Sequence, residues 1–387
     1  METSQALPLH AVDDADLAEV VRGDPPFVSV YLRTEGAIQN AGQRSEIRWR
    51  NLRGALEAAD VDGSVIAEIE RLVPDAHAAG GGMAAIADRG GVRLVDHGPL
   101  GDTDDRAVLA EAPVLAPIIR WRQEEPDVLV VLADRRGADI FVLRRSEPDV
   151  ERTVEGDDHP LRKVAPGGWS QRRFQERAEN TWEENAQTVA EVVHRLADRV
   201  DPSVIVVAGD VRAVTLLQEA LRDELRNRVH VVPGERPWEG SGDAIPDAVR
   251  DVVADAVRAE GVAVWERLQE EIGQHDLAVE GLDATVSALA QARVAVLVVT
   301  DMGDASIWVG PDPLQIATSA DDLRALGVDE PREAAAVDAV IRAALAAGSA
   351  VRLYDTTDPN GPSSLGANEG PRDGVAALLR WADEASS

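Results

Sequence analysis

The chain has 387 residues, 44% hydrophobic and 28% charged, the balance of a folded globular protein rather than a disordered one. Its formal net charge is -31, from 70 Asp and Glu against 39 Lys and Arg. This excludes a general nucleic-acid binder, whose affinity comes from basic side chains displacing counterions from phosphate. The absence of cysteine excludes disulfides, thiolate chemistry and cysteine-ligated zinc.

Three domains are expected: an N-terminal α+β domain over 1–125, a middle α/β domain with a mixed sheet over 126–244, and a C-terminal α/β/α sandwich over 245–387 that opens on a long linking helix. The start, "METSQALPLHAVDDADLAEV", lacks the basic-then-apolar order of a signal peptide, and no apolar run reaches eighteen residues. A cytoplasmic, monomeric protein without a membrane partner is expected.

In the first segment "PFVSVYL", residues 26 to 32, alternates as a strand does. "QRSEIRWRNLRGALEAA" has near-helical apolar spacing through Ile47, Leu52 and Leu56, with Trp49 nearby, and a further helix is expected across Val65 to Val73. Its basic face, Arg44, Arg48, Trp49, Arg50 and Arg53, is a candidate RNA contact, although a solvated, salt-bridged helix explains it as well. Two strands flank the turn Asp88-Arg89-Gly90-Gly91, and Gly80-Gly81-Gly82 reads as a loop, since no Gly-Lys-Ser/Thr follows to make it a phosphate cradle.

The second segment opens with strands at 128–133 and 138–143 around a hairpin turn, Asp134-Arg135-Arg136-Gly137. A long helix follows, in which Phe174, Ala178, Trp182, Val189, Val193, Leu196 and Val200 recur at helical spacing and Ser170 is the natural N-cap. "SVIVVAGD" reads as a buried strand, "VRAVTLLQEALRDELRN" as a helix and "RVHVV" as another strand. A loop, "PGERPWEGSGD", precedes a helix over roughly 245–272. In the third segment "LDATVSALAQARVAVLVVTD" is helix then strand, and "PREAAAVDAVIRAALAAGSAVRLYD" repeats the pattern with Gly348 ending the helix. A last helix is expected to hold Leu378, Leu379 and Trp381.

Little of this sequence carries catalytic chemistry. The seven histidines are scattered without metal-ligand spacing, adjacent acids are what chance places among 70 acidic residues, and no G-x-S-x-G elbow is present. No catalytic residue, metal or cofactor is therefore assigned. Gly209-Asp210, between a strand and a helix, is where open α/β sheets bind ligands, which keeps a nucleotide-binding stress protein as one alternative.

The stretch "KVAPGGWSQRRF", residues 163 to 174, stands out. From Leu161 to Gln175 the chain carries Arg162, Lys163, Arg172 and Arg173 and no acid, although acids crowd both sides. Such local reversal matters because charges act within a Debye length, about 8–10 Å. Gly167 and Gly168 let backbone approach a partner closely, and Trp169 offers a face on which a base could stack. A βα connection with the indole tucked onto the sheet is the structural alternative.

"PGGWSQRRFQERAENTWEENAQTVAE" resembles the middle domain of archaeal and eukaryotic class-1 peptide-chain release factors, in the bacterial branch found in actinobacteria that includes Balon-like ribosome hibernation factors. The strands "VLVVLADRRGADIFVL" and "VIVVAGD" fit that domain, "LAVEGLDATVSALAQARVAVLVVTD" looks like the start of the third, and the resemblance covers about residues 126 to 387. It implies a loop reaching the peptidyl-transferase centre, where the family carries Gly-Gly-Gln. Here Trp169 stands in the glutamine's place and Gln171 follows two residues on. The first domain holds neither Asn-Ile-Lys-Ser nor a cysteine-containing stop-codon motif. The resemblance therefore implies a non-catalytic, hibernation-type protein in the ribosomal A site, with rRNA of the decoding and peptidyl-transferase centres and elongation factor Tu as partners. Arg162, Lys163, Gly167, Gly168, Trp169, Ser170, Gln171, Arg172 and Arg173 would form its RNA-binding loop. The alternative it leaves is a release or rescue factor that hydrolyses peptidyl-tRNA.

Overall fold

A computed structural model of the chain describes residues 15–34, 41–74, 81–98, 103–143, 150–155, 168–233, 244–274, 277–355 and 370–381. They fall into two units, Met1–Glu124 with Val257–Ser387, and Glu125–Ala256.

The first unit begins with α1 (Ala15–Val20), β1 (Phe27–Thr34), α2 (Ala41–Ala58), α3 (Gly63–Glu70), β2 (Gly81–Asp88), β3 (Gly91–His97), β4 (Arg106–Ala110) and α4 (Ala116–Glu124). Its strands form an antiparallel sheet in the order β3-β2-β1-β4. The alternation of β1 sends Val28, Val30 and Leu32 to one face, under Trp49, Leu52, Leu56 and Ile69, and Phe27 and Tyr31 to the other. Within α2 the expected pattern is corrected: Ile47 is 49% exposed and Trp49 takes the buried place. The indole suits that place because its N–H donates to Glu70 at 3.1 Å while its ring fills the core. Gly81 and Gly82, expected in a loop, begin β2 and pair with Thr34 and Arg33.

The second unit holds β5 (Val128–Ala133), β6 (Gly137–Leu143), β7 (Val150–Glu155), α5 (Gly168–Val200), β8 (Val204–Gly209), α6 (Val211–Ala220), α7 (Asp223–Arg226), β9 (Val229–Val231) and the start of α8 (Ala244–Gln274). The sheet runs β7-β6-β5-β8-β9, with an antiparallel half and β5, β8 and β9 parallel. Both faces of β5 and β8 are buried. Val189, Val193 and Leu196 of α5 cover one face with Leu217 of α6, and Val249, Val252 and Val253 of α8 lie with the other. The single helix expected over 211–227 is broken at Leu221, whose ψ of 146° is extended. Helix α5 starts at Gly168, so Ser170 lies inside its first turn instead of capping it.

The chain returns to the first unit through the rest of α8, then β10 (Ala278–Glu280), α9 (Leu282–Ala290), β11 (Val294–Val299), β12 (Ser306–Val309), β13 (Ile316–Ala317), α10 (Ala320–Ala325), β14 (Arg332–Ala335), α11 (Ala336–Ala346), β15 (Ala350–Leu353) and β16 (Val375–Leu379). A mixed sheet, β10-β16-β11-β15, has Val264 and Leu268 of α8 on one face and α9 and α11 on the other. Strands β13-β12-β14 make a small antiparallel sheet beside it. Gly348, just past α11, takes φ +69°, which suits a glycine after a helix end.

The last helix expected from Leu378, Leu379 and Trp381 is corrected: "VAALL" is the strand β16, between β10 and β11 and buried at every position. A five-residue apolar run has no period of its own, and the free edges of its neighbours decide its state.

The segments read as first and third domains share one core. Leu17, Val20, Phe27, Tyr31, Ile118 and Ile119 cluster with Ile307, Ala339, Val340 and Leu353. Polar bonds cross the same core: the Gln123 side-chain amide pairs with the backbone of Leu353, and Arg342, 2% exposed, donates to Val21 O and Pro311 O.

Candidate functional site

The basic motif leads into the second unit's longest helix. Arg162, Lys163 and Gly167 lie outside the described residues. Gly168, Trp169, Ser170, Gln171, Arg172 and Arg173 occupy the first turns of α5, and their side chains too lie outside what is described. The root of the helix is described in full. Trp182 carries the Arg135 guanidinium 4.8 Å above its ring, and Asn185 donates from Nδ2 to the Arg135 carbonyl at 3.0 Å. The helix thus crosses the β5–β6 hairpin at 182–185. Val189, Val193 and Leu196 pack on the sheet beyond that crossing, and Gly168 stands about fourteen residues the other way, roughly 21 Å of helix.

Strand ends β5 and β8 meet beneath this crossing. Gly209 pairs with Ala133 and has φ +137°, and a Cβ there would come 1.8 Å from the Ala133 carbonyl oxygen. Only glycine permits that approach. It lets Asp210 N donate to the same carbonyl and leaves the Asp210 side chain at the start of α6. Asp210 Oδ1 accepts from the amides of Arg212 (3.0 Å) and Ala213 (3.3 Å), and Oδ2 accepts from Arg135 Nε at 3.1 Å. Burial raises its carboxyl, but the bonds from Arg135, Ala213 and Arg212 outweigh burial and hold it below the usual carboxylate range. In the hairpin Asp134 Oδ1 accepts from the amides of Arg136 (2.7 Å) and Gly137 (2.9 Å).

This arrangement answers the nucleotide reading of Gly209-Asp210. A phosphate would need the N-terminal amides of α6, and the Asp210 carboxylate already takes them. The crevice between Arg135, Trp182, Asn185 and Leu217 has a volume of about 10 Å³, room for a single water and far from a nucleotide.

The basic face expected on α2 comes apart in the structure. Arg48 pairs with Asp105 at 3.6 Å and donates to the Arg33 carbonyl, and Arg53 bonds Glu57 (2.8 Å) and Glu70 (3.1 Å). Trp49 is in the core, which removes it from any RNA-facing surface. Arg50 is exposed, and the side chain of Arg44 lies outside what is described. Among the described residues no cluster of three or more His, Asp or Glu could hold a metal ion, and no helix is long and apolar enough to cross a membrane.

The model of the bacterial archaeo-eukaryotic release factor family 2 matches residues 127–274, which take in the sheet of the second unit and all of α5. An uncharacterized protein of Mycobacterium tuberculosis strain H37Rv is 31% identical over 370 residues, 94% of this chain and 95% of its own length. The chain belongs to the bacterial archaeo-eukaryotic release factor family. Among solved structures, the archaeal translation termination factor aRF1 is similar over 94% of this chain and 96% of its own, at 14% identity and a TM-score of 0.24. A model of ribosome-bound archaeal Pelota and ABCE1 is similar over 97% of this chain and 95% of that one, at 13% identity and a TM-score of 0.41. With the family assigned, two residues that sequence reasoning passed over gain weight, Arg135 as a turn residue and Trp182 as one member of an apolar stripe. Their signal was an Arg-Arg hairpin tip in an acidic chain, opposite the one tryptophan of the stripe.

Proposed function

We propose that this family member is a non-catalytic ribosome-binding protein of the hibernation type, which lodges in the A site with residues 163–173 directed to the peptidyl-transferase centre. The observation that carries the reading is Trp169 directly after the glycine pair. An amide side chain both donates and accepts hydrogen bonds, whereas the indole only donates. Trp169 therefore cannot orient a water by accepting its proton, and its flat ring suits stacking on a base and filling the space a water would need. Gln171 stands in the first turn of α5, two residues past the position directly after the glycine pair where the family's glutamine stands. Arg162, Lys163, Arg172 and Arg173 then supply phosphate contacts, and the family resemblance supports elongation factor Tu as the partner of the C-terminal sandwich.

Ribosomes carrying peptidyl-tRNA provide the test. The protein is expected to co-sediment with them and to leave the peptidyl ester intact, and Trp169→Ala is expected to weaken co-sedimentation at an unchanged melting temperature. Release of peptide that depends on residues 163–173 would overturn the reading in favour of a release or rescue factor.

A further inference from the structure

Helix α5 is 33 residues long, and the Gly167-Gly168-Trp169 tip stands at its start. A partner that reads the tip meets it only if the helix points the right way. With Gly168 about 21 Å of helix from the crossing at 182–185, a tilt of about 10° there would carry the tip by roughly 4 Å, about the spacing of two stacked rings.

The crossing is built to resist such a tilt, and Arg135 is at its centre. Its carbonyl accepts from Asn185 Nδ2 at 3.0 Å, and its guanidinium lies 4.8 Å from the centroid of the Trp182 ring. Backbone and side chain of one residue thus hold two positions on one face of α5. The edge of the guanidinium turns to Asp210, with Nε and Nη2 each 3.1 Å from Oδ2. Asp210 is fixed in turn by the amides of Arg212 and Ala213 at the start of α6, and by its own amide, which donates to the Ala133 carbonyl at 3.1 Å. One arginine therefore ties α5 to the ends of β5 and β8 at once. The space left between Arg135, Trp182, Asn185 and Leu217 is about 10 Å³, so the helix cannot rock towards the hairpin without displacing these side chains. The joint needs a planar cation, whose face lies on the indole while its edge serves the carboxylate, and a lysine ammonium cannot do both.

We infer that Arg135 is a positioning residue, which with Trp182 and Asp210 clamps α5 to the strand ends and so sets the aim of the Gly167-Gly168-Trp169 tip. The consequence for binding rests on the ribosome-binding reading above, whereas the clamp itself does not. A tip aimed correctly only about a tenth of the time binds about tenfold more weakly, with its own contacts unchanged.

Two measurements on the full chain test this. The chain has no cysteine, so Ser170→Cys/Glu219→Cys puts one spin label beside the tip and one on α6, and their distance distribution reports the aim directly. The distribution should be narrow in the parent and should broaden with Arg135→Lys or Trp182→Ala. In co-sedimentation with ribosomes, at a temperature where each variant is folded, both should bind about tenfold more weakly at an unchanged slope of log affinity against log salt. Combining them should cost no more than either alone, since both open one clamp, and Trp182→Phe should recover part of the affinity and of the narrow distribution. A distribution already broad in the parent, or one that stays narrow in both variants, would overturn the inference and leave the proposed function standing. So would an Arg135→Ala variant with a narrow distribution and a salt slope lowered by about 1, which would make Arg135 a phosphate contact instead. Broadening at full ribosome affinity would overturn the role given to the clamp. Broadening in the variants of a protein that never co-sediments with ribosomes would support the clamp and sink the proposed function.

Discussion

Helix α2 and the strand-end loops of the second unit both carry clustered arginines, and the carboxylates around them are used in opposite ways. On α2 the acids face the guanidinium groups: Asp105 meets Arg48, and Glu57 and Glu70 meet Arg53. At the ends of β5 and β8 they bond the backbone, with Asp134 and Asp210 accepting from four amides between them and Asp210 accepting from Arg135 besides. Arginine density therefore does not locate a phosphate surface in an acidic chain.

The largest expected effect comes from breaking the strand-end geometry. Gly209→Ala drives a Cβ into the Ala133 carbonyl at a backbone angle closed to alanine, and should cost more than about 3 kcal/mol in a urea melt. Gly54→Ala in α2, where a Cβ meets nothing within 4 Å, should by contrast be neutral or slightly stabilising.

The next effect separates the two units by the sign of their pH dependence. Asp338, 8% exposed in α11, is pushed up to about 7 by burial, which Arg106 offsets only in part. A raised carboxyl contributes stability that is complete below the unfolded value near 3.8 and is lost as pH rises through about 7. Asp338→Asn should therefore stabilise the chain at pH 8 by up to roughly 4 kcal/mol and bring little gain at pH 4, measured by denaturant melts at both values. Asp210 has the opposite sign, its depressed carboxyl giving stability above 3.8 that is lost as pH falls below that value. Asp210→Ala should cost about 1–2 kcal/mol at pH 7, through the lost cap and the lost Arg135 bond, and less at pH 3.

Trp182→Ala should cost about 1–2 kcal/mol by removing the ring under Arg135, with Trp182→Phe recovering part of it. The smallest effect belongs to α2. Arg53→Ala removes exposed ion pairs and should change stability by less than about 1 kcal/mol in a urea melt, while leaving ribosome affinity and its salt slope unchanged.

Much of the second unit was legible because its signals are local. "VLVVLADRRGADIFVL" spells two strands and their turn within sixteen residues, "SVIVVAGD" is too apolar and too short to be anything but a buried strand, and the stripe from Trp182 to Val200 specifies a helix laid on a sheet. The motif at 163–174 likewise announces itself by composition. Strands β4 and β7 were missed because "RAVLA" and "VERTVE" are short edge strands whose identity comes from their partners, β1 and β6.

Elsewhere the deciding contacts are distant in the chain. No window around "VAALL" reveals that β10 and β11 leave a gap between them, and Trp49 displaces Ile47 because Glu70 waits for its N–H on another helix. Gln123 finds the backbone of Leu353, 230 residues on. Composition and period settle which segments can be strands or helices, and which stretch has the wrong charge for its surroundings, because those depend on neighbours along the chain. Which residue of a pair is buried, which arginine already has a carboxylate, and whether a glycine-acid turn is open to a ligand depend on what folds against it. For Asp210, contact with Arg135 and the first amides of α6 turned the phosphate site that the strand-to-helix turn suggested into a helix cap.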